Sequence, residues 1–140
     1  MTSSAEKMDQ IGDNFAHRFW NIREAMLDIM GFEDVSATIL YRIDGTVIKA
    51  EMVPNIPAHM LNLLGWMKTI ITKVSKELST DIEKISYIKG SGEDQYLIIF
   101  YKIGNTGILA SVVDAFSNTA LLSIEIERLA RVIQKQLEEI

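Results

Sequence analysis

The side chains that could do chemistry are few, and their spacing does not assemble a reactive site. His17 and His59 lie far apart in sequence, and neither has a partner at metal-ligand spacing. A metal site needs several convergent ligands, so both read as solvated or cap-adjacent histidines. Glu93-Asp94 and Glu138-Glu139 are paired carboxylates, but they fall in a turn and at a helix end. General acid–base work needs buried carboxyls with displaced pKa values. Asp114 stands between a strand and a helix, where a catalytic carboxylate could sit but where a turn or cap role is the ordinary one. Gly90-Ser-Gly92 lacks the Gly-Lys-Ser/Thr ending of a phosphate loop and joins two strands. Serine, histidine and aspartate never fall into a nucleophile-elbow pattern. The chain has no cysteine, which removes disulfides, thiolate nucleophiles, zinc ribbons and iron–sulfur sites together. The expectation is a protein with no catalytic residue, no metal and no cofactor.

Composition moves attention from chemistry to contact. The 140 residues are 48% hydrophobic, enough for one domain with a full core. Mean hydropathy is +0.13. The longest strand-like apolar stretch, Tyr96-Leu-Ile-Ile-Phe-Tyr101, is too short to cross a bilayer, so no direct membrane insertion is expected. Surplus apolar surface then meets another protein. Fourteen scattered lysines and arginines against nineteen acids, for a net charge of −5, leave no basic footprint for nucleic acid. The polar first ten residues hold no signal core, which makes the cytoplasm the default location.

The elements that must carry this surface read as α-β-β-α-β-β-β-α. Residues 1–12 are expected to be a flexible extension or a helix start, and 13–140 a single domain. The first helix spans 13–30, with Phe15, Phe19, Ile22, Met26 and Ile29 on one stripe. Asp13 or Asn14 can cap it, and Gly31 can take the left-handed C-terminal position. Strands at 37–43 and 46–52 flank Asp44-Gly45, the signature of a type I′ hairpin turn. Asn55 is placed to cap the next helix and Pro57 to occupy its first turn.

That central helix, 57–78, carries two stripes. Met60, Leu64, Met67, Ile71, Val74 and Leu78 form the core stripe. Leu63, Trp66 and Ile70 form a second, roughly 80–90° around the helix, and Gly65 lies near it. A surface helix of a monomer needs only one stripe, so one is expected to pack on the sheet and the other on a partner. Strands at 84–89, 95–103 and 106–113 follow, linked by turns short enough to require antiparallel pairing. The third strand, with lysine at both ends, reads as a sheet edge guarded by charge or completed by another chain. A last helix starts near Ser117 or Asn118 and carries Leu122, Ile126, Leu129, Ile133, Leu137 and Ile140 on one stripe.

This order, and the residues at its joints, resembles the roadblock/LC7 family. The matching pieces are Ile39-Leu-Tyr-Arg-Ile-Asp44-Gly45-Thr-Val-Ile48, the 57–78 helix, Tyr96 to Tyr101 with Gly107-Ile-Leu-Ala-Ser-Val-Val113, and Leu121-Leu-Ser-Ile-Glu-Ile-Glu-Arg-Leu129. The resemblance implies an α+β fold: a five-stranded antiparallel sheet with the central helix on one face and the terminal helices on the other. It implies a homodimer, or a heterodimer with a paralogue, built from central helices and third strands. Its interface would hold Leu63, Trp66, Ile70 and the strand Lys84, Ile85, Ser86, Tyr87, Ile88 and Lys89. It further implies a regulatory module docking a small Ras-like GTPase through Asn62, Lys68, Thr69 and Lys73. The alternatives are a structural adaptor or light-chain scaffold subunit with a non-GTPase target, and a small-molecule sensor domain. Of the arginines Arg18, Arg23, Arg42, Arg128 and Arg131, none stands out as a group to supply to a γ-phosphate, so ordering of the GTPase's own switch regions is the expected mode.

Overall fold

The structure is a computed structural model and describes residues 21–79, 82–116 and 118–138. The expected extension over 1–12, the caps Asp13 and Asn14, and Phe15, His17, Arg18, Phe19, Ser117, Glu139 and Ile140 lie outside those residues.

Residues 21–30 are helical (α1). They are followed by β1 (Val35–Arg42), β2 (Val47–Met52), α2 (Ala58–Glu77), β3 (Lys84–Lys89), β4 (Tyr96–Ile103), β5 (Gly107–Asp114) and α3 (Thr119–Glu138). The strands form one sheet in the order β2-β1-β5-β4-β3, and every neighbouring pair is antiparallel. The central strand is therefore β5, flanked by β1 and β4, and the predicted edge strand, β3, is an edge.

The sheet separates two cores. On one face Ile22, Met26 and Ile29 of α1 and Leu122, Ile126, Leu129 and Ile133 of α3 pack over Leu40, Ile99, Ile103 and Leu109. On the other, Met60, Met67, Ile71 and Val74 of α2 pack over Ile39, Ile98, Phe100, Ile108 and Val112. Strands buried on both faces lose the alternation of a half-solvated sheet. Accordingly β5 is buried from Gly107 through Val113, whereas β3 alternates exposed and partly buried positions.

Three local expectations are corrected. Asp44-Gly45 is not a type I′ turn, because among the described residues only glycines have positive φ, and in this turn only Gly45, at +91°, does so. The Gly45 amide donates to the Arg42 carbonyl at 3.0 Å and the Arg42 amide to the Thr46 carbonyl at 2.7 Å. This is a three-residue loop closed by a left-handed glycine, and the β1–β2 register slips by one between Leu40 and Tyr41 to absorb the extra residue. The Asp44 carboxylate accepts from the Thr46 amide at 2.9 Å. The Thr46 bonds hold its pKa below the usual carboxylate value. Gly31 does not take positive φ; its amide donates to Leu27 at 2.9 Å and continues the helical pattern. Asn55 does not cap α2. Pro57 is the cap residue, with φ −70° and ψ 160° and no side-chain cap bond, and its carbonyl accepts from Met60 at 3.0 Å.

Candidate interaction surface on the central helix and edge strand

β3 alternates its side chains across the sheet. Ile85, Tyr87 and Lys89 turn toward α2, whereas Lys84 and Ser86 lie beside α3, where the Lys84 ammonium donates to the Ser123 hydroxyl at 3.3 Å. On the α2 side an aromatic ladder links helix to sheet. The Trp66 ring meets Tyr87 edge-on at 5.6 Å and 79°, and Tyr87 meets buried Phe100 edge-on at 5.9 Å and 83°. Lys89 places its ammonium 4.4 Å over the Trp66 ring. The Tyr87 hydroxyl donates to Glu77 at 3.4 Å. Burial, and then the Glu77 charge, raise the Tyr87 pKa.

The ladder does not close the flank. Trp66 and Ile70 are only partly buried. Leu63, expected on the same partner-facing stripe, is 8% exposed and belongs to the domain's own core, while Leu64, expected in the core, is partly buried. The core face of α2 is thus turned toward Leu63, which leaves Trp66 and Ile70 beside an unpaired β3. Ile88, on the opposite face of the edge strand, is 66% exposed.

Asn62, Lys68, Thr69 and Lys73 are all exposed. At 100° per residue Asn62, Thr69 and Lys73 share the flank nearer Trp66, and Lys68 lies on the other. The Thr69 hydroxyl donates to the Trp66 carbonyl at 2.6 Å, and Lys73 approaches Glu77 at 3.8 Å. Between the flanks sit Leu61, 58% exposed, and Gly65, where an added Cβ would meet nothing within 4 Å.

One arrangement was not anticipated. A surface cleft of about 390 Å³ opens between the start of α2 and the β3–β4 turn, lined in part by His59, Asn62, Trp66, Asp94 and Tyr96. His59 Nε2 lies 2.7 Å from the Tyr96 hydroxyl and 3.8 Å from Asp94 Oδ1, with the two rings stacked at 5.7 Å. Burial first, then the charges of Asp94 and Asp114, raise the Tyr96 pKa. No local spacing could have found this cluster, since its members come from α2, a turn and β4.

The remaining candidates fall into structural roles. Asp114 accepts from the Phe116 amide at 2.9 Å in the turn before α3. Arg128 pairs with Glu125 at 3.2 Å, Arg131 with Glu83 at 2.8 Å, and Arg23 approaches Glu51 at 3.8 Å. Among the described residues no group of acidic and histidine side chains could hold a metal ion, and no helix is long and apolar enough to cross a membrane.

A family model described as AF0774-like protein matches residues 20–127. No curated protein matches the chain. Among solved structures it is similar to MglC from Myxococcus xanthus, at TM-score 0.64 and 11% identity over 83% of this chain and 98% of that one. It is similar also to the gliding protein MglB from Thermus thermophilus, at 0.62 and 12% over 88% and 93%. A Roadblock/LC7 domain from Streptomyces avermitilis aligns at 0.54 and 13% over 85% and 96%. At such identities the likeness carries the fold, which is the roadblock fold.

Proposed function

The chain belongs to the AF0774-like family and has the roadblock fold, and from that premise we propose that it is a cytoplasmic, dimeric, non-catalytic module that docks a small Ras-like GTPase. The observation that carries this reading is the open edge of β3 lying beside the half-covered Trp66 and Ile70 of α2. Both need covering, and one neighbour can cover both. In this reading residues 13–140 are one domain behind a stretch over 1–12. Trp66, Ile70 and β3 face a second subunit, homologous or identical, with Leu63 supporting them from beneath.

The outward ridge of α2 is left for the GTPase. Leu61 offers an apolar knob, Gly65 lets a partner's backbone approach closely, and Asn62, Lys68, Thr69 and Lys73 supply donors. An exposed mid-helix glycine costs helix stability, and nothing inside the domain requires one at this position.

Neither α2 nor β3 contains an arginine, and Arg128 and Arg131 sit on α3, on the opposite face of the sheet. The module would therefore act by holding the GTPase's switch regions in a competent arrangement rather than by supplying an arginine to the γ-phosphate. The test is capture of partners from source lysate on the tagged protein with GDP or a non-hydrolysable GTP analogue, read by mass spectrometry. Preferential recovery of a small GTPase with the analogue supports the reading. A target indifferent to nucleotide replaces it with a structural adaptor.

A further inference from the structure

We propose that two copies of β3 pair antiparallel in one register, centred on Ser86, so that Ser86 of each copy faces Ser86 of the other across a dyad. The proposal rests on the dimeric reading above and adds to it which residues meet.

Three observations fix the register. The first is which backbone groups are free. β3 pairs with β4 as Lys84 with Tyr101 through Lys89 with Tyr96, and the Lys102 amide donates to the Glu83 carbonyl at 2.8 Å. Glu83 and Lys102 continue that register, so they form a hydrogen-bonded pair, and such pairs recur at every second residue. Residues 83, 85, 87 and 89 therefore direct their amides and carbonyls to β4. Lys84, Ser86 and Ile88 direct theirs outward.

The second is facial parity. Residues directly opposite in an antiparallel ladder point to the same face. A dyad normal to the sheet keeps the α2 face of one copy level with the α2 face of the other. An even-numbered residue of β3 can then face only an even-numbered one, so the dyad falls on a residue and never between two, and Ser86 and Tyr87 are the residues at the middle of the strand.

The third is what each choice brings together. With the dyad on Ser86, the pairs Lys84–Ile88, Ser86–Ser86 and Ile88–Lys84 join outward-directed groups and give about six inter-chain hydrogen bonds. The four-carbon stem of each Lys84 lies over the Ile88 of the second copy, which the single copy leaves 66% exposed. With the dyad on Tyr87, outward-directed Lys84 would need Gly90, whose φ of +104° carries the chain out of the strand. About four bonds remain, and Ile88 meets only a serine.

The absence of cysteine makes the test clean. Ser86→Cys and Tyr87→Cys are made singly in the full chain, each checked for folding by circular dichroism, and oxidised with copper phenanthroline above the dimer's dissociation constant. In the Ser86-centred register the two Ser86 Cα atoms lie roughly 5.5 Å apart, within disulfide reach, while the Tyr87 pair is diagonal at about 8 Å and beyond it. Covalent dimer from Ser86→Cys at several times the rate of Tyr87→Cys is the expected result. The reverse ratio overturns the register in favour of Tyr87. If neither links while sedimentation still gives a dimer, β3 is not the joint and the proposal fails with the dimer intact. If the unaltered chain sediments as a monomer at all concentrations, the dimeric reading itself fails.

Discussion

Trp66→Ala separates the two jobs assigned to the flank of α2. Within one domain Trp66 contributes an edge contact to Tyr87 and a face to the Lys89 ammonium. The first is worth ~0.5–1.5 kcal/mol and the second ~0.5–1 kcal/mol at such a site. Folding of the single domain should therefore weaken by about 1–2.5 kcal/mol. Association should suffer separately. A partly buried tryptophan leaves on the order of 60 Å² to solvent, and covering it contributes ~1.5 kcal/mol at about 25 cal/mol per Å². The dyad counts this twice, so the dimer should lose ~3 kcal/mol and its dissociation constant rise about 100-fold. Sedimentation velocity over a dilution series measures the second effect, and urea unfolding of the dissociated variant the first. If urea stability falls by the stated amount while the dissociation constant changes by less than about threefold, the ring serves only its own domain, and the assignment of this flank to a second subunit is refuted.

Three further outcomes follow from the same structure. Gly65→Ala should stabilise the fold by ~0.5–1 kcal/mol, since helix propensity improves and the new Cβ meets nothing within 4 Å; it should also weaken GTPase capture, and urea curves with a titration check both. Phe100→Ala empties a fully buried site in the α2 core and removes the foot of the aromatic ladder, so unfolding free energy should drop by ~3–5 kcal/mol. Burial pushes the Tyr41 hydroxyl up to about 12. A raised folded-state pKa gives stability that is full below pH ~10 and is lost as pH rises toward ~12, here ~2–3 kcal/mol. Urea midpoints should fall across that window, and fall less in Tyr41→Phe.

Periodicity was a good guide where one face of an element decides its packing. α3 buries Leu122, Ile126, Leu129 and Ile133 as its stripe requires, and lysine at both ends marked β3 as an edge. It was a poorer guide on α2. Leu63 and Leu64 differ by one helical step, both are leucine, and either could complete a stripe; the position of the sheet beneath chose Leu63. The Asp44-Gly45 turn was legible as a turn, but its length depended on whether Asp44 entered the left-handed region, which an aspartate tolerates without requiring. The Trp66–Tyr87–Phe100 ladder and the His59–Tyr96–Asp94 cleft were invisible, because their members approach only after the sheet has formed.

The strand order also dictates when the edge comes into being. β1 and the central strand β5 are separated in sequence by α2 and by the other three strands, so their pairing waits on a long loop closure and sets the pace of folding. The meander β3-β4-β5 needs only short turns and can form ahead of it. A nascent chain would then expose a finished β3 edge before its own core is closed. Lys84 and Lys89 at the ends of that strand become kinetic guards as much as interface residues, since they slow encounters between half-folded chains. Replacing both with apolar residues would divert refolding into aggregates at concentrations where the native sequence recovers.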